Sequence, residues 1–122
     1  MKQENIILDK SFAFAVRVVK LYKYLCDEKQ EYVLSKQLLR SGTSIGANIN
    51  EAQAAQSTND FITKMSIASK EARESRYWID LLIQTDFLDS SEQHTQTLRG
   101  DIDELIKMLT SIIKTTQERN KK

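Results

Sequence analysis

The chain has 122 residues, 40% of them hydrophobic, with 18 Lys plus Arg set against 17 Asp plus Glu and a formal net charge of +1. That length suits one domain with a core of its own, and the near balance of charge excludes a global pull toward nucleic acid or membranes, so such binding has to come from local clustering. One cysteine, Cys26, excludes an internal disulfide framework and a Cys-based zinc site; in its apolar run it reads as a small buried hydrophobe.

The stretch "MKQENIILDKSFAF" offers only the apolar run Ile6–Leu8 before Asp9 and Lys10 interrupt it, which is too little for a signal peptide. No run approaches the ~20 apolar residues of a membrane span, so a cytoplasmic protein without a membrane partner is expected. There is no proline, and the three glycines stand at positions 42, 46 and 100, so long helices can run without interruption.

Apolar residues at steps of three and four fall on one side of a helix, and four such segments follow in order. The first covers about Asp9 to Cys26, with Phe12, Ala15, Val16, Val19, Tyr22 and Cys26 on its core side, Lys10, Arg17 and Lys20 opposite, and Asp9 or Ser11 as cap. "DEKQEY" (27–32) is a polar connection. The second covers about Val33 to Gln56, and "STND" (57–60) supplies oxygens to cap the next. The third, about Asp60 to Thr85, carries Phe61, Met65, Ala68, Ala72, Ser75, Ile79 and Leu82; the fourth, about Glu92 to Arg119, carries Leu98, Ile102, Leu105, Leu109 and Ile112. Short polar connections favour antiparallel neighbours, and the expected fold is all-α, an antiparallel up-down-up-down four-helix bundle in a single domain. A second set of apolar residues lies beside these seams: Phe14, Val18, Leu21 and Leu25, then Ile62, Trp78 and Leu81, then Ile106, Met108 and Ile113. Either they meet another subunit or they broaden the core stripe.

The stretch "LLRSGTSIGANINEAQ" (38–53) is rich enough in Gly, Ser and Asn to suggest a phosphate loop. A Walker loop needs Gly-x4-Gly-Lys-Ser/Thr, yet Gly42 and Gly46 are four apart, Ala47 follows, and no Lys lies between Lys36 and Lys64. A dinucleotide fingerprint needs a preceding strand, and none is in sight. On a helix, Gly42 and Gly46 share a face with small neighbours and let another helix approach closely. Arg40, Ser44, Asn48 and Glu51 form a polar stripe beside the Leu38–Ile45–Ile49 seam. Such a stripe hydrogen-bonds across helices and fixes register, with Glu74 as ionic partner of Arg40, or it is a solvated face.

"KSFAFAVRVVKLY", "LSKQLLRSGTSIGANINEAQ" and "ASKEARESRYWIDLL" resemble the 23S rRNA intervening-sequence proteins. Gln37, Leu38, Arg40, Ser44, Ile45, Asn48, Ile49 and Glu51 match that family's middle motif, and Glu74 ends a later one. The resemblance runs from about Asn5 to Thr116. It implies a four-helix bundle assembling as a homopentamer, and kinship with accessory proteins of diversity-generating retroelements, similar pentamers that bind a reverse transcriptase and nucleic acid. Many relatives carry Pro after the Ser-Ile pair, where this chain has Gly46.

Chemistry finds little support. His94 stands alone in "SSEQHTQT", without the fixed acid and nucleophile of a triad. No Glu-x-x-His pairs exist for a di-iron site, and Arg76 lies too far before His94 for a helical-bundle ribonuclease. No catalytic residue, cofactor or metal is expected. Lys10, Arg17, Lys20 and Lys23, with Tyr24 nearby, form one basic cluster, and Lys70, Arg73 and Arg76 a second. Oligomerisation would multiply them into a ring for RNA phosphates, unless they are ordinary solvated faces with pairs such as Lys70–Glu74. The expected function is a non-enzymatic, RNA-associated oligomeric scaffold; the alternative is a protein-only module docking a reverse transcriptase or other polymerase.

Overall fold

The protein's computed structural model describes the backbone of residues 2–121 and the side chains of residues 6–121. All regular structure there is α-helical: α1 (Lys2–Lys29), α2 (Leu34–Ala52), α3 (Thr58–Gln84) and α4 (Gln93–Asn120).

The first helix differs most from the sequence reading. It begins at Lys2, so Asp9 and Ser11 lie within it rather than capping it. Ser11 is buried, and its hydroxyl donates back to the Leu8 carbonyl at 3.1 Å. The core side is also the other one: Ile7, Phe14, Val18 and Leu25 are buried, while Phe12 is 71% and Val16 39% exposed. The reason lies in what shares each face. The Phe12–Val16–Val19–Cys26 line also contains Asp9 and Lys23, whose charges would be costly to bury. The Ile7–Ser11–Phe14–Val18–Leu21–Leu25 line contains one hydroxyl, which the helix itself can satisfy. Cys26 is accordingly half-buried.

Two connections are built by local hydrogen bonding. After α1, Gln30 takes a left-handed conformation (φ 51°) and the Glu31 N–H donates to the Leu25 carbonyl at 3.0 Å. The Glu31 carboxylate then caps α2, accepting from the N–H groups of Val33 (3.1 Å), Leu34 (2.9 Å) and Ser35 (2.7 Å). These are donors that the first helical turn cannot satisfy. After α3, Asp86 is left-handed (φ 68°), and the N–H groups of Asp86 and Phe87 close on the carbonyls of Ile83 (3.1 Å) and Leu82 (2.9 Å), the pattern of a Schellman turn. At the start of α3, Ser57 accepts from the Asp60 N–H at 3.0 Å. The second helix stops at Ala52, short of the expected Gln56, as Gln53, Ala54 and Ala55 tighten into N–H bonds three residues back.

The seams predicted for the last three helices are buried, except that Phe61 is half-buried at the rim. Each helix packs on the next in sequence, and α1 closes on α4. The α2–α3 contact is the most extensive and α1–α4 the thinnest. Gly42 lies against Val18: a Cβ there would stand 2.9 and 3.0 Å from the two Val18 methyls. At Gly46 a Cβ would meet the Ser11 carbonyl and hydroxyl oxygens at 3.4 Å. Most of the second apolar set is absorbed within the protomer. Phe14, Val18 and Leu25 are core, and Leu21, Trp78, Ile106, Met108 and Ile113 pack against it.

Candidate functional site

The polar stripe of α2 divides into two kinds of contact. Arg40 and Glu51 reach α3: Arg40 bonds Glu74 and, at 3.4 Å, Glu71, while Lys64 bonds Glu51 at 3.1 Å. Ser44 and Asn48 instead bond along α2, the Asn48 amide donating to the Ser44 carbonyl (2.9 Å) and hydroxyl (3.0 Å). Glu74 also accepts from the Trp78 indole N–H at 2.9 Å, so it serves Arg40 and Trp78 rather than the Lys70 suggested by spacing. The Arg40 side chain is half exposed, and an ion pair of that kind contributes only ~0–1 kcal/mol. The buried α2–α3 polar contact is one the sequence reading missed: the Ser41 and Ser75 hydroxyls meet at 2.8 Å.

The basic candidates sort by partner. Lys10 pairs with Glu104 at 3.1 Å. Arg17 bonds Asp101 (2.8 Å), the His94 carbonyl (2.9 Å) and the Thr97 hydroxyl (3.1 Å). Arg76 bonds Asp80 at 3.1 Å and also Asp103, while Arg99 reaches Asp80 at 3.4 Å. Burial works against the Arg76 charge, but Asp80 and Asp103 outweigh it and raise the guanidinium above its ordinary pKa. Lys10, Arg17 and Arg76 therefore tie helices together, and a phosphate would have to displace a carboxylate to reach them. Arg73 has a hydroxyl partner, Thr110, at 3.4 Å. Lys20, Lys23 and Lys70 form no ion pair among the described residues.

A cleft of about 780 Å³ opens between α1 and the start of α4, the helix pair with the thinnest contact. From α1 it is lined by Arg17, Lys20, Tyr24 and Lys29, and the α3–α4 connection supplies Asp86, Asp89 and Glu92. Leu21, Phe87, Leu88 and Leu98 give it an apolar base. Asp89 is held below the usual carboxylate range by the Ser91 N–H and hydroxyl, at 2.9 and 2.8 Å. His94 is on the exposed rim, its Nε2 3.9 Å from Glu92. The cleft joins positions about 70 residues apart in sequence, and Tyr24 beside the α1 lysines was the one local sign of it.

Among the described residues, no helix is long and apolar enough to cross a membrane, and no cluster of three or more His, Cys, Asp or Glu side chains is placed to hold a metal ion. No curated protein matches the chain. A solved structure does match: a protein of unknown function from the S23 ribosomal protein family of Bacteroides thetaiotaomicron. It is 53% identical with a TM-score of 0.87, over 92% of this chain and 98% of that one. None of these comparisons names an enzyme. Residues 3–111 match the family described as 23S rRNA-intervening sequence protein, and the chain belongs to that family.

Proposed function

We propose that the protein is a non-enzymatic, cytoplasmic scaffold that associates with RNA of the large ribosomal subunit as a homo-oligomer, a pentamer, of antiparallel up-down-up-down bundles. The antiparallel arrangement is supported by contacts whose numbers fall in one helix as they rise in the next: Arg40–Glu74 with Glu51–Lys64, and Lys10–Glu104 with Arg17–Asp101. The observation that carries the reading is the outward face of α1. It bears Phe12 and Val16, large apolar residues left in water by the isolated protomer. The same helix bears Lys20 and Lys23, which form no ion pair among the described residues. An apolar patch beside these lysines suits a surface covered by a second copy and edged by phosphate contacts.

The test is the mass of the purified protein by light scattering, with and without 23S rRNA, at low and high salt. The expected result is a mass near five protomers that rises with RNA only at low salt, each phosphate contact adding about 0.7–0.9 to the salt slope. Lys20→Glu with Lys23→Glu removes the RNA-dependent rise. A 14.1 kDa species indifferent to RNA would overturn the reading.

A second reading is favoured by one observation. Tyr77, 59% exposed, meets Trp78 edge to face at 5.1 Å beside the Arg40–Glu74 pair, and Trp, Tyr and Arg dominate the energetics of protein interfaces. In that reading the module docks a protein such as a polymerase or reverse transcriptase. RNA-free co-purification of one partner, lost on Tyr77→Ala, distinguishes it.

A further inference from the structure

We propose that the cleft between α1 and the α3–α4 connection holds a nucleotide of single-stranded RNA, its base against Tyr24 and the apolar base of the cleft and its flanking phosphates on Lys20 and Lys29. This rests on the RNA-associated reading above and gives that association a specific pocket.

The size comes first. At about 780 Å³ the cleft lies within the range of small-ligand sites, ~300–1,000 Å³. It has room for an unstacked base with its sugar. Its surface is suited to an aromatic ligand. Tyr24 is 45% exposed, and Leu21, Phe87 and Leu88 are only partly covered by the core, so a flat ring entering here removes apolar area on both sides from water. Bases stacked on aromatic side chains are the usual means of holding single strands.

Charge then orients the strand. Lys20 and Lys29 both line the cleft, and their backbone positions, nine residues apart on α1, are separated by about 13 Å along the axis and half a turn around it, so they meet different phosphates rather than share one. Neither has an ion pair among the described residues. Asp86, Asp89 and Glu92 line the opposite side; they repel phosphate toward α1 and accept hydrogen bonds from the amino groups of bases and from ribose 2′-hydroxyls. Three carboxylates against Arg17, Lys20 and Lys29 leave the lining close to neutral. Attraction for a polyanion as such is therefore small. Affinity comes mainly from the base, and a hydroxyl-bearing sugar is preferred.

The experiment is fluorescence anisotropy of a labelled oligoadenylate RNA, about eight nucleotides long, and of its deoxy counterpart. Both are titrated with the protein between about 50 and 200 mM KCl. The wild type is expected to bind the RNA more tightly than the deoxy oligomer. Tyr24→Ala weakens binding about tenfold, and Tyr24→Phe retains it. Lys20→Gln and Lys29→Gln each flatten the salt slope by about 0.7. Unchanged RNA binding by Tyr24→Ala, with an unaltered circular dichroism spectrum, overturns the cleft while leaving RNA association standing. Deoxy binding as tight as RNA binding overturns the ribose contact and with it the RNA assignment. Absence of binding to any RNA by the wild type at the lowest salt overturns both this inference and the reading beneath it.

Discussion

Three glycines in helices ought to behave alike if propensity alone mattered, since each costs about 1 kcal/mol against Ala. Their surroundings make them differ. At Gly42 an added Cβ meets the Val18 methyls at 2.9 and 3.0 Å, so Val18 must retreat by about 0.6–1 Å to reach an ordinary carbon–carbon separation. Val18 is buried and, being β-branched, has essentially one rotamer in a helix, so the side chain cannot swing aside and α1 itself must shift. Overpacking of this kind costs about 1–3 kcal/mol. Less the propensity gain, Gly42→Ala is expected to destabilise by about 1 kcal/mol. At Gly46 the Cβ would touch Ser11 at 3.4 Å, so Gly46→Ala ranges from neutral to about 1 kcal/mol stabilising. At Gly100 nothing lies within 4 Å, and Gly100→Ala should stabilise by about 1 kcal/mol. Urea unfolding of the three variants gives the order from their midpoints at constant slope. Val18→Ala combined with Gly42→Ala should cost less than the sum of the two alone, by about 1 kcal/mol or more, because the new methyl occupies the vacated space. A Gly42→Ala variant as stable as Gly100→Ala, with additive behaviour toward Val18→Ala, would refute the reasoning that close approach of α1 excludes a side chain at position 42.

Asp86 adopts φ 68°, a conformation that favours glycine, so Asp86→Gly should raise the urea midpoint by an amount equivalent to about 0.5–1 kcal/mol; a lowered midpoint would show that the Asp side chain matters more than the backbone strain. Burial pushes the Glu31 carboxyl up, but the N–H groups of Leu34, Ser35 and Val33 outweigh it and hold its pKa below the ordinary value. The stabilisation is therefore present above the unfolded carboxyl pKa, about 4.3, and fades as pH falls through the folded value. Glu31→Gln should be less stable than wild type at pH 7, with the gap narrowing in acid; a gap independent of pH would refute the assignment. The buried Ser75 hydroxyl donates to the Glu71 carbonyl at 2.9 Å and so accepts from Ser41, whose other partner, the Leu38 carbonyl, is 3.5 Å away; Ser75→Ala leaves Ser41 only that long contact and should cost about 1 kcal/mol, whereas the double change to Ala should cost less than twice that.

The sequence made α2, α3 and α4 legible for a simple reason: each has one apolar side, interrupted by nothing charged, and a polar side opposite. Leu98, Ile102, Leu105, Leu109 and Ile112 are buried as their spacing predicts. The first helix was ambiguous because apolar residues occur all around it. What distinguishes its faces is their company, Asp9 and Lys23 on one and Ser11 on the other, and a hydroxyl among apolar residues is easily mistaken for an interruption. Glu31 was hidden for a different reason. In "DEKQEY" it is one carboxylate among several charges, and its capping role depends on the turn at Gln30, which spacing does not reveal. The Arg40–Glu74 contact was readable because both residues have long side chains on adjacent faces. The same spacing logic could not tell that Lys10, Arg17 and Arg76 point toward carboxylates of α4 or the α3–α4 side, since that depends on the rotation of each helix about its axis. The cleft depended on the same unknown.

Among the described residues, contact in this bundle is confined to helices that follow one another along the chain, with α1–α4 the single thin exception. Little loop-closure entropy therefore stands in the way of assembly, and the topology belongs to the low-contact-order class whose folding is fast. During synthesis α2 can dock on α1 and α3 on α2 as each leaves the ribosome, with the broad α2–α3 contact formed before α4 has emerged. Only the last step, in which Asp101 meets Arg17 and Glu104 meets Lys10, waits for the distant end of the chain. That late and lightly packed junction is also the edge along which a native molecule can open without giving up its centre.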